Sequence, residues 1–146
     1  MKRNITAGLI LTASLISVAS AQVGYSPSQI SNAAQDWYHQ REARFSGNQW
    51  RPQLFMQVRT DLEHIGSAQG ASEKENNRLT NTKEELTKMQ ADLDQNRYDN
   101  NILNDVIDSM KKSANDERLA PRDRAVLSDD LAKLHEYQNN PSQWKR

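Results

Sequence analysis

The chain has 146 residues, 26% of them charged and 6% aromatic, with a formal net charge of zero and no cysteine. The balance of 19 basic against 19 acidic residues excludes the basic stripe of a general nucleic-acid binder. The missing thiols exclude disulfides, thiolate metal sites, cysteine nucleophiles and a lipid-modified cysteine anchor.

The first residues have the order of a secretory leader: Lys2 and Arg3, an apolar run from Ile5 to Val18, then Ala19, Ser20 and Ala21 in the A-x-A arrangement that signal peptidase accepts. The run is too short to span a hydrocarbon core of about 30 Å comfortably, and a polar stretch follows it. Cleavage after Ala21 is the expected outcome, with residues 9–18 serving as a tether if cleavage fails. The destination is then the periplasm or the medium, with no integral membrane segment in the mature chain. Loss of Lys2 and Arg3 leaves 17 basic residues against 19 acidic ones, a net charge of −2 over 125 residues. That length supports one domain, residues 22–138, with its own core.

Ser26, Pro27 and Gln29 open helix 1 as N-cap, first helical residue and capping-box partner. Its stripe is Ile30, Ala33, Ala34, Trp37 and Phe45, with the stem of Arg41 filling the gap and Gly47 ending the helix. Helix 2 begins around Trp50 to Pro52, carries Phe55, Val58, Leu62 and Ile65 with Leu54 and Met56 widening the stripe, and stops at Gly66. Residues 66–71 form the longest internal loop. Ser72 and Glu75 make a second capping box for helix 3, whose narrow seam is Leu79, Leu86, Met89 and Leu93 with Thr82 at the missing step.

Asn96, Arg97 and Tyr98 form a tight connection, and Asp99 caps helix 4, which carries Ile102, Leu103, Val106, Ile107 and Met110. After a break at residues 115–120, Pro121 opens helix 5 with Val126, Leu127, Leu131, Leu134 and then Tyr137 or Gln138. Helices 4 and 5 share a pattern at an offset of 24, which chance agreement between acidic amphipathic helices accounts for equally well. Residues 139–146 read as a flexible C-terminal tail. No strand signal occurs, so the fold class is all-α: four or five antiparallel helices in a small bundle after a cleaved signal peptide.

Few residues carry a chemical signal. Asp94, Asn96 and Asp105 match parts of a calcium loop, but Tyr98, Asp99 and Asn101 stand where an oxygen ligand, a glycine and an apolar residue belong. Calcium binding is therefore a minor alternative. His39, His64 and His135 lie on separate helices and make no zinc pattern. Asp129 with Asp130, and Glu84 with Glu85, read as solvated faces rather than acid/base pairs. No catalytic constellation emerges, so no enzymatic activity and no cofactor are expected. The densest cluster alternates rings and guanidinium groups, and Trp37, Arg41, Arg44, Trp50 and Arg51 are its candidate partner-binding residues. The competing reading packs Trp37, Phe45 and Phe55 between helices 1 and 2, with arginine stems over them.

The stretches Arg97-Tyr98-Asp99, Leu103-Asn104-Asp105-Val106-Ile107, Arg118 to Arg124 and Leu127-Ser128-Asp129-Asp130-Leu131 resemble a set of small secreted bacterial proteins of unknown function. The likeness reaches forward to Trp50, Leu54-Phe55, Val58-Arg59 and Asp61-Leu62, and so covers most of the mature chain. Ala120 stands where that pattern has serine before the proline, which removes a helix cap worth about 1 kcal/mol. Leu86-Thr87-Lys88-Met89-Gln90 is similar to the LTxxQ motif of the Spy-like periplasmic chaperones, small helical proteins that cradle unfolded clients. The first likeness carries no known activity and implies an exported helical protein, and the second implies a chaperone. The absence of a catalytic constellation and the narrow-striped helices lead to the expectation of an interaction module that binds another protein in the envelope or the medium. The chaperone motif, however, normally sits at a helix start, and Thr87 falls mid-helix.

Overall fold

A computed structural model of the chain describes residues 27–67 and 72–144, with side chains from residue 32 onward. These residues form five α-helices and no strand: α1 Pro27–Arg44, α2 Leu54–Ser67, α3 Glu73–Asp94, α4 Asn100–Ala114 and α5 Pro121–Asn139. Single 3-10 turns at Arg51–Gln53 and Pro141–Trp144 precede α2 and follow α5. The leader and the Ser26 cap lie outside the described residues, as do 68–71 of the expected loop.

Helices α2 to α5 make the core. Each packs closely on the next, and α5 returns to α2, which closes a four-helix ring. The connections at residues 95–99 and 115–120 are too short for anything but antiparallel neighbours. The seams are those of the periodicity: Phe55, Val58, Leu62 and Ile65 on α2, Leu79, Leu86 and Met89 on α3, Leu103, Val106 and Met110 on α4, and Leu127 and Leu134 on α5 are all buried. Thr82, also buried, satisfies its hydroxyl by donating to the Arg78 carbonyl at 2.9 Å. Each fully buried aliphatic or aromatic chain contributes about 1.5–3 kcal/mol, so this ring holds most of the fold's favourable energy.

The helix ends follow their capping chemistry. Ser72 accepts from the Glu75 amide, and Asp99 accepts from the amides of Asn101 and Ile102. Asn96, at φ 55°, is the left-handed residue that turns the chain out of α3, and Gly47, at φ 66°, does the same after α1. Ala120 stands at the N-cap of α5 with no side-chain cap bond, as the missing serine predicts. Two expectations are corrected. Gly66 does not end α2 but lies inside its last turn, where an added Cβ would make only ordinary contact with the Leu79 side chain. The C-terminal segment is not a free tail, since Pro141–Trp144 folds back and Trp144 is only 3% exposed against Trp50 and Tyr137. Burial of an indole of that size offsets much of the chain entropy lost in ordering the short turn.

Helix α1 stands apart. It takes no part in the close helix pairings, and Arg41 is the one buried residue among its described side chains. Ala33, expected on its apolar stripe, is exposed, while Ala34, Trp37 and the adjoining Phe45 are half-buried.

Candidate functional site: a sealed charge cluster beneath α1

Arg41 enters the core between α2 and α5, each of which places carboxylates on its apolar seam. Asp61 follows Val58 and precedes Leu62 on α2; Asp130 lies between Leu127 and Leu134 on α5; neither has any solvent exposure. Arg41 Nε donates to Asp61 Oδ2 at 2.5 Å, and its Nη2 donates to Asp130 Oδ1 and reaches Asp129 Oδ2 at 2.9 Å. Arg44 Nη2 donates to Asp61 Oδ1 at 2.7 Å, and Lys133 donates to Asp129. Three cations thus face three carboxylates, with Phe45 over the assembly: the Arg41 guanidinium lies 4.8 Å and the Lys133 ammonium 4.5 Å from its ring centre.

The two buried carboxylates are unequal. Asp61 has a donor on each oxygen, whereas Asp130 Oδ2 is buried without a hydrogen-bond partner among the described residues. Burial, then the neighbouring charge of Asp61, pushes the Asp130 carboxyl well above the ordinary carboxylate range, against the pull of Arg41 and Lys133. Partial burial pushes Asp129 the same way, but its bonds to Lys133 and Arg41 outweigh this and leave it below its usual value. Arg41 is partly desolvated, yet the charges of Asp130 and Asp61 raise it further above its already high value. It is a permanent cation.

A second group extends the contact along α1. Tyr38 donates to Asp123 Oδ1 at 2.8 Å, one heptad before Asp130, and the Arg122 guanidinium sits 3.6 Å over the Tyr38 ring. Burial and the Asp123 bond push the Tyr38 phenol up to about 12. Trp37 stacks on His64 at 3.7 Å with planes 7° apart, and burial lowers the His64 pKa. A shallow cleft of about 200 Å³ runs here, lined by Tyr38, Arg41, Glu42, Arg122, Ala125 and Val126. Neither buried aspartate opens into it.

The five candidate partner-binding residues therefore do not form one exposed face. Arg41 and Trp50 are buried, at 7% and 8% exposure. Trp37, Arg44 and Arg51 are half-buried. Arg41 and Arg44 serve the charge cluster. Trp50 and Arg51 belong to an adjoining aromatic group, joined to the cluster through Phe45 against Trp50 at 5.5 Å, in which Trp50 meets Trp144 at 5.4 Å, Tyr137 meets Phe55 at 5.1 Å, and Arg51 covers Trp144 while pairing with Glu136. The alternative, Trp37, Phe45 and Phe55 packed together between helices 1 and 2, is not what forms either: Trp37 stacks on His64, Phe45 meets Trp50 and Phe55 meets Tyr137, with arginine side chains over several of the rings. Asp130 corrects the solvated-face expectation for the Asp129/Asp130 pair, since only Asp129 reaches solvent.

The remaining candidates are dispersed. Asp94 accepts from Gln90, Asn96 is the left-handed turn residue and Asp99 is spent on its cap, so the calcium-like spacing is occupied by helix-end chemistry. Among the described residues no three His, Asp or Glu side chains are grouped to hold a metal. No described helix is long and apolar enough to cross a membrane. Comparison with protein-family models, with curated proteins and with solved structures finds no match.

Proposed function

We propose that this chain is an exported, non-enzymatic helical protein that acts by binding another protein in the cell envelope or the medium. The observation that carries the reading is the state of its carboxylates. Two carboxyls are raised beside a second carboxylate: the half-exposed Glu85, by partial burial and then by Asp105, and the fully buried Asp130 beside Asp61. It is this buried pair, the more strongly raised, that is shut off from solvent and tied to Arg41. An acid/base pair for glycan or peptide cleavage must reach its substrate, and these two cannot without removal of α1. The leader-like residues 1–21 support export, and the likeness to small secreted bacterial proteins supports the same destination.

The chaperone reading gains less support. Tyr98 is the one large exposed hydrophobic residue among the described ones, so no apolar cradle lies open in them. In the LTxxQ-like stretch Leu86 is core, Thr87 bonds back to the Lys83 carbonyl in mid-helix, and Gln90 donates to the Pro52 carbonyl. Each has a structural role. Fractionation of the producing cell, with mass spectrometry of the mature N-terminus, and cross-linking of the mature chain in envelope extracts test the proposal together. A chain beginning at Gln22 outside the cytoplasm, cross-linked to a reproducible partner, is the expected result. A cytosolic chain with its leader intact, or one that stays monomeric and uncross-linked, would overturn it.

A further inference from the structure

The way α1 is fastened separates it from the rest of the molecule. Helices α2 to α5 are joined by apolar seams. By contrast, α1 is joined by one buried guanidinium, the half-buried Arg44, the Tyr38–Asp123 bond and the Trp37–His64 stack. Its connection to α2 passes through Gly47, whose left-handed backbone lies in an exposed turn.

Beneath α1 the cluster is short of donors. With α1 in place, one Arg41 serves two carboxylates closed to water, and Arg44 completes Asp61 but not Asp130. Ionising both would leave a bare buried oxygen on Asp130 facing the charge of Asp61, which a proton on Asp130 removes. With α1 lifted, water reaches both carboxylates and that reason for the proton disappears. We propose that α1 is a separately releasable strap, latched by Arg41 onto the buried Asp61–Asp130 pair, and that its closure takes up a proton there. Rising pH then loosens the strap and mild acid tightens it.

The charged groups facing Asp130 are Arg41 from α1, Asp61 from α2 and Lys133 from its own helix. Arg44 joins through Asp61, and Asp129 through Arg41 and Lys133. His64 under Trp37 acts in the opposite sense. Its folded pKa is lowered, so closure releases its proton, and the two groups oppose each other below the ordinary histidine value of 6.5.

Amide hydrogen exchange of the mature chain, corrected for the intrinsic pH dependence of exchange, reads the opening of α1 directly, with α4 amides reporting global unfolding. It is run on the wild type and on His64→Phe, which keeps a ring against Trp37 but carries no proton. Alpha-1 amides less protected than those of α4 are expected. In His64→Phe their protection should fall as pH rises, by up to about tenfold per pH unit between the ordinary carboxylate range and Asp130's raised value, as uptake of one proton requires. In Asp130→Asn on the same background the slope should vanish. Equal protection of α1 and α4, a flat pH profile in His64→Phe, or an unchanged slope in Asp130→Asn would each overturn the proposal. If Asp130→Asn does not fold, the carbon-13 titration of the Asp130 carboxyl in the intact chain decides: a midpoint well above the ordinary range supports the latch, and an ordinary one overturns it.

Discussion

Replacing Arg41 by methionine keeps most of the apolar stem and removes the cation. Asp130 then loses its bond to Arg41, and Asp61 retains Arg44 on one oxygen only. Removing one partner of a buried ion pair costs about 3–5 kcal/mol where the orphaned charge stays out of water, and here a proton on Asp130, the Arg44 bond to Asp61 or release of α1 holds the loss toward the lower figure. Native domains are stable by only about 5–15 kcal/mol, so the loss is a large part of the total. For a chain of this size it corresponds to a fall in Tm of roughly 10–15 °C. If docking of α1 is worth less than that, its 18 residues detach first, as an early transition in far-ultraviolet circular dichroism. The triple variant Arg41→Met/Asp61→Leu/Asp130→Leu should melt at or above the wild type, since well-packed apolar replacements of buried ion groups are neutral or stabilising by about 1–4 kcal/mol. A single transition for Arg41→Met within about 3 °C of the wild type would refute the reasoning, because roughly 1 kcal/mol is the worth of an exposed pair.

Three further expectations follow from other parts of the molecule. Ala120→Ser supplies the missing cap at the start of α5 and should raise stability by about 1 kcal/mol in urea titration; a loss would show that residue 120 does not act as the N-cap. Trp144→Ala should cost about 3 kcal/mol by the same assay, and a change below about 1 kcal/mol would mean that the C-terminal turn is not docked. The phenols of Tyr38 and Tyr137 are each pushed up to about 12, first by burial, so both should stay protonated when ordinary tyrosines ionise near 10.0. Their contribution to stability is complete below 10.0 and is lost as pH rises through about 12. Ultraviolet difference titration checks this, and Tyr38→Phe should remove one late phenol; ionisation of all four tyrosines near 10.0 in the folded chain would contradict the burial.

Where apolar residues recur at helical spacing the fold was readable in advance, as with Phe55, Val58, Leu62 and Ile65 on α2 or the Ser72 and Asp99 caps. The charge cluster was not, because its members look like surface residues in one dimension. Asp61 sits among apolar neighbours on α2, and Asp123 and Asp130 are one heptad apart on the seam of Leu127 and Leu134. The available signal was this register: an acidic residue at a core position needs a buried cation, and Arg41, filling a gap in an otherwise weak stripe, was its complement. Helix α1 misled for the same reason. Its stripe is carried by long amphipathic side chains that reach the core at their ends. Trp144 was missed because a tail rich in Asn, Ser and Gln carries no periodicity to mark one anchoring indole.

The Arg41 guanidinium tests the central claim most directly. In nitrogen-15 spectra of the protein its Nε–H, donated to Asp61 in a site closed to water, should appear as a resolved resonance, slow to exchange and with cross-hydrogen-bond coupling to the aspartate carboxylate. An Arg41 Nε–H that exchanges as fast as those of surface arginines would contradict the latch.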